Sequence, residues 1–141
     1  MQRVESGNVS VGGKRIAEIQ VGLVILLGIG PADTEVEADQ LALKLAQMRI
    51  FPDDNGKMNR SVLDVGGEAL VVPQFTLFAD TNKGHRPSFV KAGPPEKAKP
   101  LSEYFASALE KLGVPTQQGE FGAHMLVEIH NNGPVTIAVE V

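Results

Sequence analysis

The segment VGLVILLGIGPADTEVEADQLALKLAQM, residues 21–48, contains the change of hydrophobic period that decides the class of fold. Its first part, Leu23 to Leu27, is an unbroken apolar run between glycines, which is typical of a strand buried on both faces. Thr34 followed by Glu37 forms a capping-box pattern, and apolar residues then recur at helical spacing. The segment therefore predicts a buried strand followed by an amphipathic helix over about residues 34–48.

The residues before this segment predict a β-hairpin. Residues 8–11 and 14–20 have strand character, and Gly12-Gly13 between them is a glycine turn of the kind that closes hairpins.

The residues after it predict more strands and one more helix. We expect strands over 61–65 and over 69–72, the second continuing through residues 74–78 with Pro73 at an edge or bulge. A long polar loop, 80–95, precedes a second amphipathic helix that we expect to begin at Pro100 rather than Pro95 and to end before Gly113. Strands over 125–130 and 135–141, separated by a break, complete the chain. The order predicts an α+β fold: a single domain, residues 1–141, with a largely antiparallel sheet and two amphipathic helices.

Composition excludes several kinds of function. The 141 residues include no cysteine, which removes disulfides, thiolate zinc sites and cysteine nucleophiles. The longest apolar run is too short to span a bilayer and no signal-peptide pattern is present, so we expect a cytoplasmic protein without membrane contact. A net charge of −4 argues against a protein that coats DNA or a long stretch of RNA.

The familiar catalytic and metal-binding patterns are also missing. His85, His124 and His130 lack metal-ligand spacing, and no nucleophile elbow, phosphate loop or dinucleotide motif occurs. A Glu128–His130 dyad is conceivable, but solvated residues on one strand face explain it better. We therefore expect neither a metal nor a cofactor.

Two segments remain unusual. Residues 73–78, PQFTLF, place a glutamine and a threonine among large apolar residues, and residues 131–136, NNGPVT, contain a Gly-Pro bond. Taken separately, a half-buried strand and a turn explain them.

Their combination with the rest of the chain resembles the D-aminoacyl-tRNA deacylase family. The matching text is QFTLFADTNKGHRPSF (74–89), FGAHM (121–125) and NNGPVTI (131–137), together with QRV (2–4), GLVILLGI (22–29), RIFPDDNGKMNRSVLDVGG (49–67) and AGPPEKAKPLSEYF (92–105). The resemblance covers essentially the whole chain.

The resemblance implies hydrolysis of the ester that joins a D-amino acid, or glycine, to the 3′ end of a tRNA. It also implies a homodimer in which Gly133-Pro134 of one subunit, with a cis peptide bond, enters the active site of the other and excludes L side chains. Arg3 would support this dipeptide. Glycine would not be excluded, because it has no side chain to collide.

The chemistry would lie at Gln74, Phe75 and Thr76. Backbone N–H groups near Phe75 and Thr76, with the Gln74 side chain, could stabilise an oxyanion. Thr76 could be the nucleophile, although no base is evident. The alternative, which we prefer, is RNA-assisted hydrolysis through the terminal ribose 2′-OH.

Further residues could contact the tRNA end. Lys83, His85 and Arg86 form a local basic cluster, for which solvated loop charge is an equal explanation. Phe89 and Met125 match family positions near the terminal adenosine, but core packing would explain them as well.

The chain departs from the family pattern at two points. Pro73 replaces the usual serine, as in a related family that removes L-alanine from a threonine tRNA, which puts the substrate range in doubt. The chain also starts later than is usual, which puts the setting of Arg3 in question. A noncatalytic tRNA-end or protein-binding module and an esterase for free small molecules are the rival interpretations.

Overall fold

The fold begins with the expected hairpin in a computed structural model that describes all residues, 1–141. Strand β1 spans Gln2–Val11 and strand β2 spans Lys14–Ile19. Gly12 and Gly13 between them have φ of 57° and 79°, a left-handed geometry that matches the twist of two short-connected antiparallel strands. The hairpin prediction is confirmed.

The sheet is mixed and nearly closes into a barrel. Strands β3 (Gly22–Leu27), β6 (Glu68–Pro73) and β7 (Thr116–Gln118) are parallel to one another, whereas β1 is antiparallel to β2, β3 and the last strand, β8 (Met125–Thr136). Strand β1 pairs with β3 through residues 2–4 and with β2 through residues 7–11, and β8 pairs with β1 over both parts. From β3 the sheet continues to β6 and β7. The parallel pairing of β3 and β6 was not predicted. A separate two-stranded ribbon consists of β4 (Phe51–Pro52) and β5 (Met58–Arg60).

Two helices cover one face of the sheet. Helix α1 spans Glu35–Gln47, and its predicted capping box is present: the Val36 N–H donates to Thr34 Oγ1, and the Thr34 N–H donates to Glu37. Helix α2 spans Pro95–Lys111, so the prediction that it begins at Pro100 was wrong. Pro95 occupies the first helical position, where an N–H would have no partner inside the helix. Pro100 cannot donate to the Glu96 carbonyl, but Glu96 is exposed, so water can bond to that carbonyl and the helix continues.

The core has two parts, one on each face of the sheet. Alternate residues of β3 and β6, such as Ile25 and Val71, pack under the helices with Phe105. The residues between them, such as Val24 and Leu70, face the interior of the barrel. Neither helix has the length and apolar character needed to span a bilayer.

Three strand predictions were wrong. Residues 61–65 form a turn, because Asp64 accepts bonds from the Ser61 N–H and hydroxyl and competes with strand pairing. The second expected strand ends at Pro73, and Phe75–Phe78 is a 3₁₀ turn. The last two expected strands are one strand, β8, and residues 137–141 lie outside it.

The capping box gives a measurable prediction. Thr34→Ala should lower the free energy of unfolding by about 1 kcal/mol, because the Val36 N–H loses its acceptor at the helix start. Thr34→Ser keeps the hydroxyl and should stay near the original stability. Urea unfolding of the three proteins checks this, and equal stability of the alanine and serine variants would contradict it.

Candidate active site

The first part of the candidate site is the turn that follows β6. Gln74 still belongs to the sheet edge, because its N–H donates to the Leu27 carbonyl at 2.7 Å. The chain then leaves the sheet as the 3₁₀ turn, and the Gln74 side-chain amide donates to Thr76 Oγ1. The three residues predicted to be catalytic therefore lie together at one corner of the sheet.

Two backbone donors of this turn have no acceptor. The N–H groups of Phe75 and Thr76 are the first of the turn, where no carbonyl inside it can be reached, and neither donates to a loop carbonyl or a side chain. Thr76 is exposed, and Phe75 is 57% exposed. The turn thus presents two adjacent free N–H groups at the surface, an arrangement that can bind an oxygen carrying negative charge.

The Thr76 hydroxyl has no base beside it. Its only hydrogen-bond partner is the Gln74 amide, which donates to it, and no histidine or carboxylate accepts its proton. A threonine hydroxyl is a weak nucleophile unless a base removes that proton.

Glycines under the turn allow it to approach the sheet closely. A Cβ on Gly28 would lie 2.9 Å from Phe78 Cε2 and 3.3 Å from Leu77 Cβ, and one on Gly30 would lie 3.4 Å from Phe78 Cζ. Phe78 fills the space that these missing side chains leave. This support was not predicted from the sequence, where its only signal was the glycine spacing after β3.

The basic cluster lies at the tip of the loop that follows the turn. Asp80 and Ser88 exchange two backbone hydrogen bonds, of 2.7 and 3.0 Å, which close the loop at its base. Bonds from the Asn82 N–H and from Lys91 lower the pKa of Asp80. The predicted contact residues Lys83, His85 and Arg86 are exposed at the tip, and none is in an ion pair.

Phe89 contacts the turn, and Met125 lies near the end of the strand before it. The Phe89 ring packs edge-on against Phe75, with ring centroids 5.1 Å apart. Met125, at the start of β8, packs its sulfur against Gly119, where a Cβ would also lie 3.8 Å from Pro73. The structure therefore places Phe89 against the turn and Met125 near Pro73.

The second part of the site is a bulge in β8. Val4 pairs with Asn131 and the adjacent Arg3 pairs with Val135, so residues 132–134 have no partner on β1 and are extruded from the ladder. The peptide bond between Gly133 and Pro134 is cis, which is the geometry that the resemblance implies. Both residues are exposed.

Arg3 holds the bulge from beneath. Its guanidinium is buried and donates to the Asn132 carbonyl at 3.1 Å and to the Ile50 carbonyl. No carboxylate lies within ion-pair distance, so main-chain oxygens replace the water that this charge has lost. A Cβ on Gly133 would lie 2.8 Å from an Arg3 nitrogen, so Arg3 also packs directly against the dipeptide.

Within one chain the two parts lie on different strands and are not bonded to each other. Val135 is level with Arg3, Leu23 and Ala69 across the sheet, whereas Gln74 lies five residues further along β6 than Ala69. The atoms nearest to Gly133 belong to Arg3 and Val135, and no hydrogen bond joins residues 132–134 to residues 74–76 of the same chain.

Known proteins with the same features identify the family. A protein from Roseiflexus castenholzii named D-aminoacyl-tRNA deacylase is 56% identical over 140 residues, which cover 99% of this chain and 89% of the relative. A solved structure described as c-Myc DNA unwinding element binding protein has a TM-score of 0.93 at 41% identity, covering 99% and 95% of the two chains. A third protein, described as a probable eukaryotic D-amino acid tRNA deacylase, shares the fold with a TM-score of 0.78 at 16% identity over 94% and 92%.

The fold and the two motif segments are therefore those of a deacylase, an ester hydrolase. The chain belongs to the family described as D-Tyr-tRNA(Tyr) deacylase, whose model matches residues 1–140.

Proposed function

We propose that the chain, as one domain over residues 1–141, hydrolyses the ester between a D-amino acid and the 3′ end of a tRNA, and accepts glycine as well. The observation that carries the proposal is the family match over nearly the whole chain, with both motif segments present. A cytoplasmic setting, where charged tRNA is used, follows from this substrate.

The two free N–H groups would stabilise the tetrahedral intermediate. Water adds to the ester carbonyl, whose oxygen becomes an anion, and the bond to the ribose 3′ oxygen then breaks. The N–H groups of Phe75 and Thr76 are fixed by the turn before the substrate arrives, so they need no reorganisation when charge develops. The Gln74 side chain holds the turn through Thr76 Oγ1.

RNA-assisted hydrolysis is the better account of the nucleophile. The absence of a base beside Thr76 disfavours direct attack by its hydroxyl. The terminal ribose carries a 2′-OH next to the ester, and this hydroxyl can orient the attacking water and protonate the 3′ oxygen. The protein would then contribute mainly positioning and oxyanion stabilisation.

Selection against L-amino acids would come from Gly133-Pro134 of a partner subunit. The lack of any hydrogen bond between residues 132–134 and the Gln74–Thr76 turn within one chain supports a site assembled from two copies. A main-chain wall leaves room for hydrogen at Cα but not for an L side chain, so selectivity arises by exclusion. Arg3 would fix that wall through Asn132.

Contacts to the RNA would be few. The basic loop tip with Lys83, His85 and Arg86 can reach phosphates of the single-stranded end, and Phe89 and Met125 offer apolar contact to the terminal base. The net charge of −4 is consistent with a local contact only. The same charge disfavours DNA binding by this chain, although the relative with a TM-score of 0.93 is named for it. Pro73, in place of serine, adjoins the turn and could alter the substrate range.

The substrate comparison tests the proposal directly. D-Tyr-tRNA and Gly-tRNA should be deacylated at least about 100-fold faster than L-Tyr-tRNA, because about 3 kcal/mol of steric exclusion corresponds to that ratio. D-Tyr-tRNA that ends in 2′-deoxyadenosine should be a poor substrate. Binding without hydrolysis would favour the noncatalytic module, and hydrolysis of a D-amino-acid ester without tRNA would favour the small-molecule esterase.

The oxyanion donors can be tested by removing one N–H. Phe75→Pro deletes that donor, and proline suits the first position of a 3₁₀ turn. Phe75→Ala loses the ring but keeps the N–H, and is the matched control. The proline variant should have a kcat about 100-fold below that of the alanine variant.

Thr76→Ala tests whether the threonine hydroxyl is the nucleophile. This variant should keep substantial activity, and a loss of kcat of about 1,000-fold or more would instead make Thr76 the nucleophile.

Mixed dimers test where the selecting loop comes from. Arg3→Met should free Asn132–Pro134 and raise hydrolysis of L-Tyr-tRNA, whereas the surface variant Arg15→Met should not. In a dimer of one Arg3→Met subunit and one Phe75→Pro subunit, the competent turn belongs to the Arg3→Met chain and receives the intact loop. L-Tyr-tRNA hydrolysis should therefore fall to the original level. Persistent L-Tyr-tRNA hydrolysis in the purified mixed dimer would place the loop in its own subunit.

A further inference from the structure

A cleft of about 480 Å³ lies beside the candidate active site, between helix α2 and the segment that follows β7. Its lining includes Lys99, Ser102 and Glu103 from the helix, Glu120 and Phe121 from the segment, and Pro73. Because Pro73 directly precedes Gln74, the cleft begins one residue from the turn. Its volume suits a small molecule.

Ser102 indicates that the cleft accepts a polar ligand. Its side chain is 2% exposed, and its hydroxyl has no hydrogen-bond partner in the protein. A serine in a helix commonly bonds to a carbonyl of the preceding turn, but this one does not. A buried hydroxyl without a partner is unfavourable, and rotation of the Ser102 side chain toward the cleft would let a ligand group bond to it and remove the penalty.

Charges of both signs surround the mouth of the cleft. Lys99 and Glu103 are one helical turn apart, and Glu120 lies on the opposite wall. None of the three is in an ion pair. Lysine four residues before glutamate is the less favourable order for pairing along a helix. The cleft thus offers a cation, two anions, a hydroxyl and an apolar wall made by Phe121 and Pro73.

We propose that this cleft binds a free amino acid as its zwitterion, with the carboxylate at Lys99, the ammonium at Glu103 and Glu120, and the side chain against Phe121. The two carboxylates would repel a phosphate of the tRNA backbone, and a neutral nucleobase would leave the charges without partners. A zwitterion satisfies both signs at once.

A free amino acid is the product of the proposed deacylation, so the identity of this ligand rests on the proposed function. An aminoacyl ester carries the ammonium group but no carboxylate. Hydrolysis adds water and breaks the bond to the ribose 3′ oxygen. The products are the amino acid as a carboxylate, the free ribose 3′-OH and one released proton. Lys99 therefore gains a partner only after the ester is cleaved, and the cleft distinguishes product from substrate.

The test is a titration of the full-length protein with free amino acids, followed by ¹H–¹⁵N NMR. D-tyrosine should bind saturably and shift the amides of residues 99–103 and 119–121. L-tyrosine should bind within about threefold, because the proposed contacts are made by charges on exposed side chains. D-tyrosine methyl ester should bind about tenfold more weakly, because it lacks the carboxylate. Lys99→Met and Glu103→Gln should each weaken D-tyrosine binding about tenfold, with Lys44→Met and Glu110→Gln as matched changes outside the cleft.

Each other outcome has a definite meaning. Absence of saturable binding, equal binding of the methyl ester, or shifts confined to residues 74–76 and 132–134 would overturn the proposal. Adenosine monophosphate that shifts the cleft amides and loses binding on Lys99→Met would also overturn it, and would assign the cleft to the tRNA end. Because binding is measured without tRNA, failure of the deacylase proposal would be seen separately.

Discussion

The buried guanidinium of Arg3 is the interaction on which the candidate site depends. Three residues of β8 have no partner on β1, and an extrusion of this kind leaves main-chain oxygens without bonds from the ladder. Arg3 donates to the carbonyl of the extruded Asn132 and to the carbonyl of Ile50, and these two oxygens replace the water that its charge has lost. Neither the buried charge of Arg3 nor the extruded main chain of β8 would be favourable without the other. The charge and the extruded main chain stabilise each other, and Gly133-Pro134 is held at the surface as a result.

A second constraint comes from the place where the chain leaves the sheet. Pro73 is the last residue of β6, and the residues after it turn away instead of continuing the ladder. A strand would have used the Phe75 and Thr76 N–H groups in pairing. The 3₁₀ turn leaves them free, and Gly28 allows Phe78 to anchor the turn close to the sheet. The candidate oxyanion donors thus result from a local departure from strand geometry.

The sequence correctly predicted those structural elements that are determined by neighbouring residues in the chain. Thr34 with Glu37 marked the start of α1, and Gly12-Gly13 marked the hairpin. The sequence predictions failed where distant residues decide the structure. Phe75 and Leu77 have strand propensity, but the chain forms a 3₁₀ turn there, and Leu77 and Phe78 pack into the space that Gly28 leaves. The last strand keeps its partner through the bulge because Arg3, 129 residues away, bonds to Asn132.

The residues of the candidate site and of the cleft also differ in whether the sequence signals them locally. The motif residues were identifiable because the resemblance rests on stretches of consecutive residues. The structure joins Gln74 to Thr76 and packs Phe75 against Phe89, and it places Met125 near Pro73. The cleft residues Lys99 and Ser102 had no such signal. Lysine, serine and glutamate on a helix have the pattern of an ordinary solvated face, and only the buried, unpartnered hydroxyl distinguishes them.

The two proposed recognition events place opposite demands on the protein. Exclusion of an L side chain requires a wall that does not yield, so its selectivity depends on the rigidity of the bulge and not on attraction to the substrate. A glycyl substrate is not excluded because it has no side chain to collide with the dipeptide. Stronger hydrogen bonds from Arg3 to the bulge would not change that. Recognition of a zwitterion works by attraction between charges on mobile side chains and tolerates movement. A chain that carries both would therefore combine a buried, fixed loop with an exposed, adjustable cleft. The burial of Arg3 and the exposure of Lys99 differ in this way.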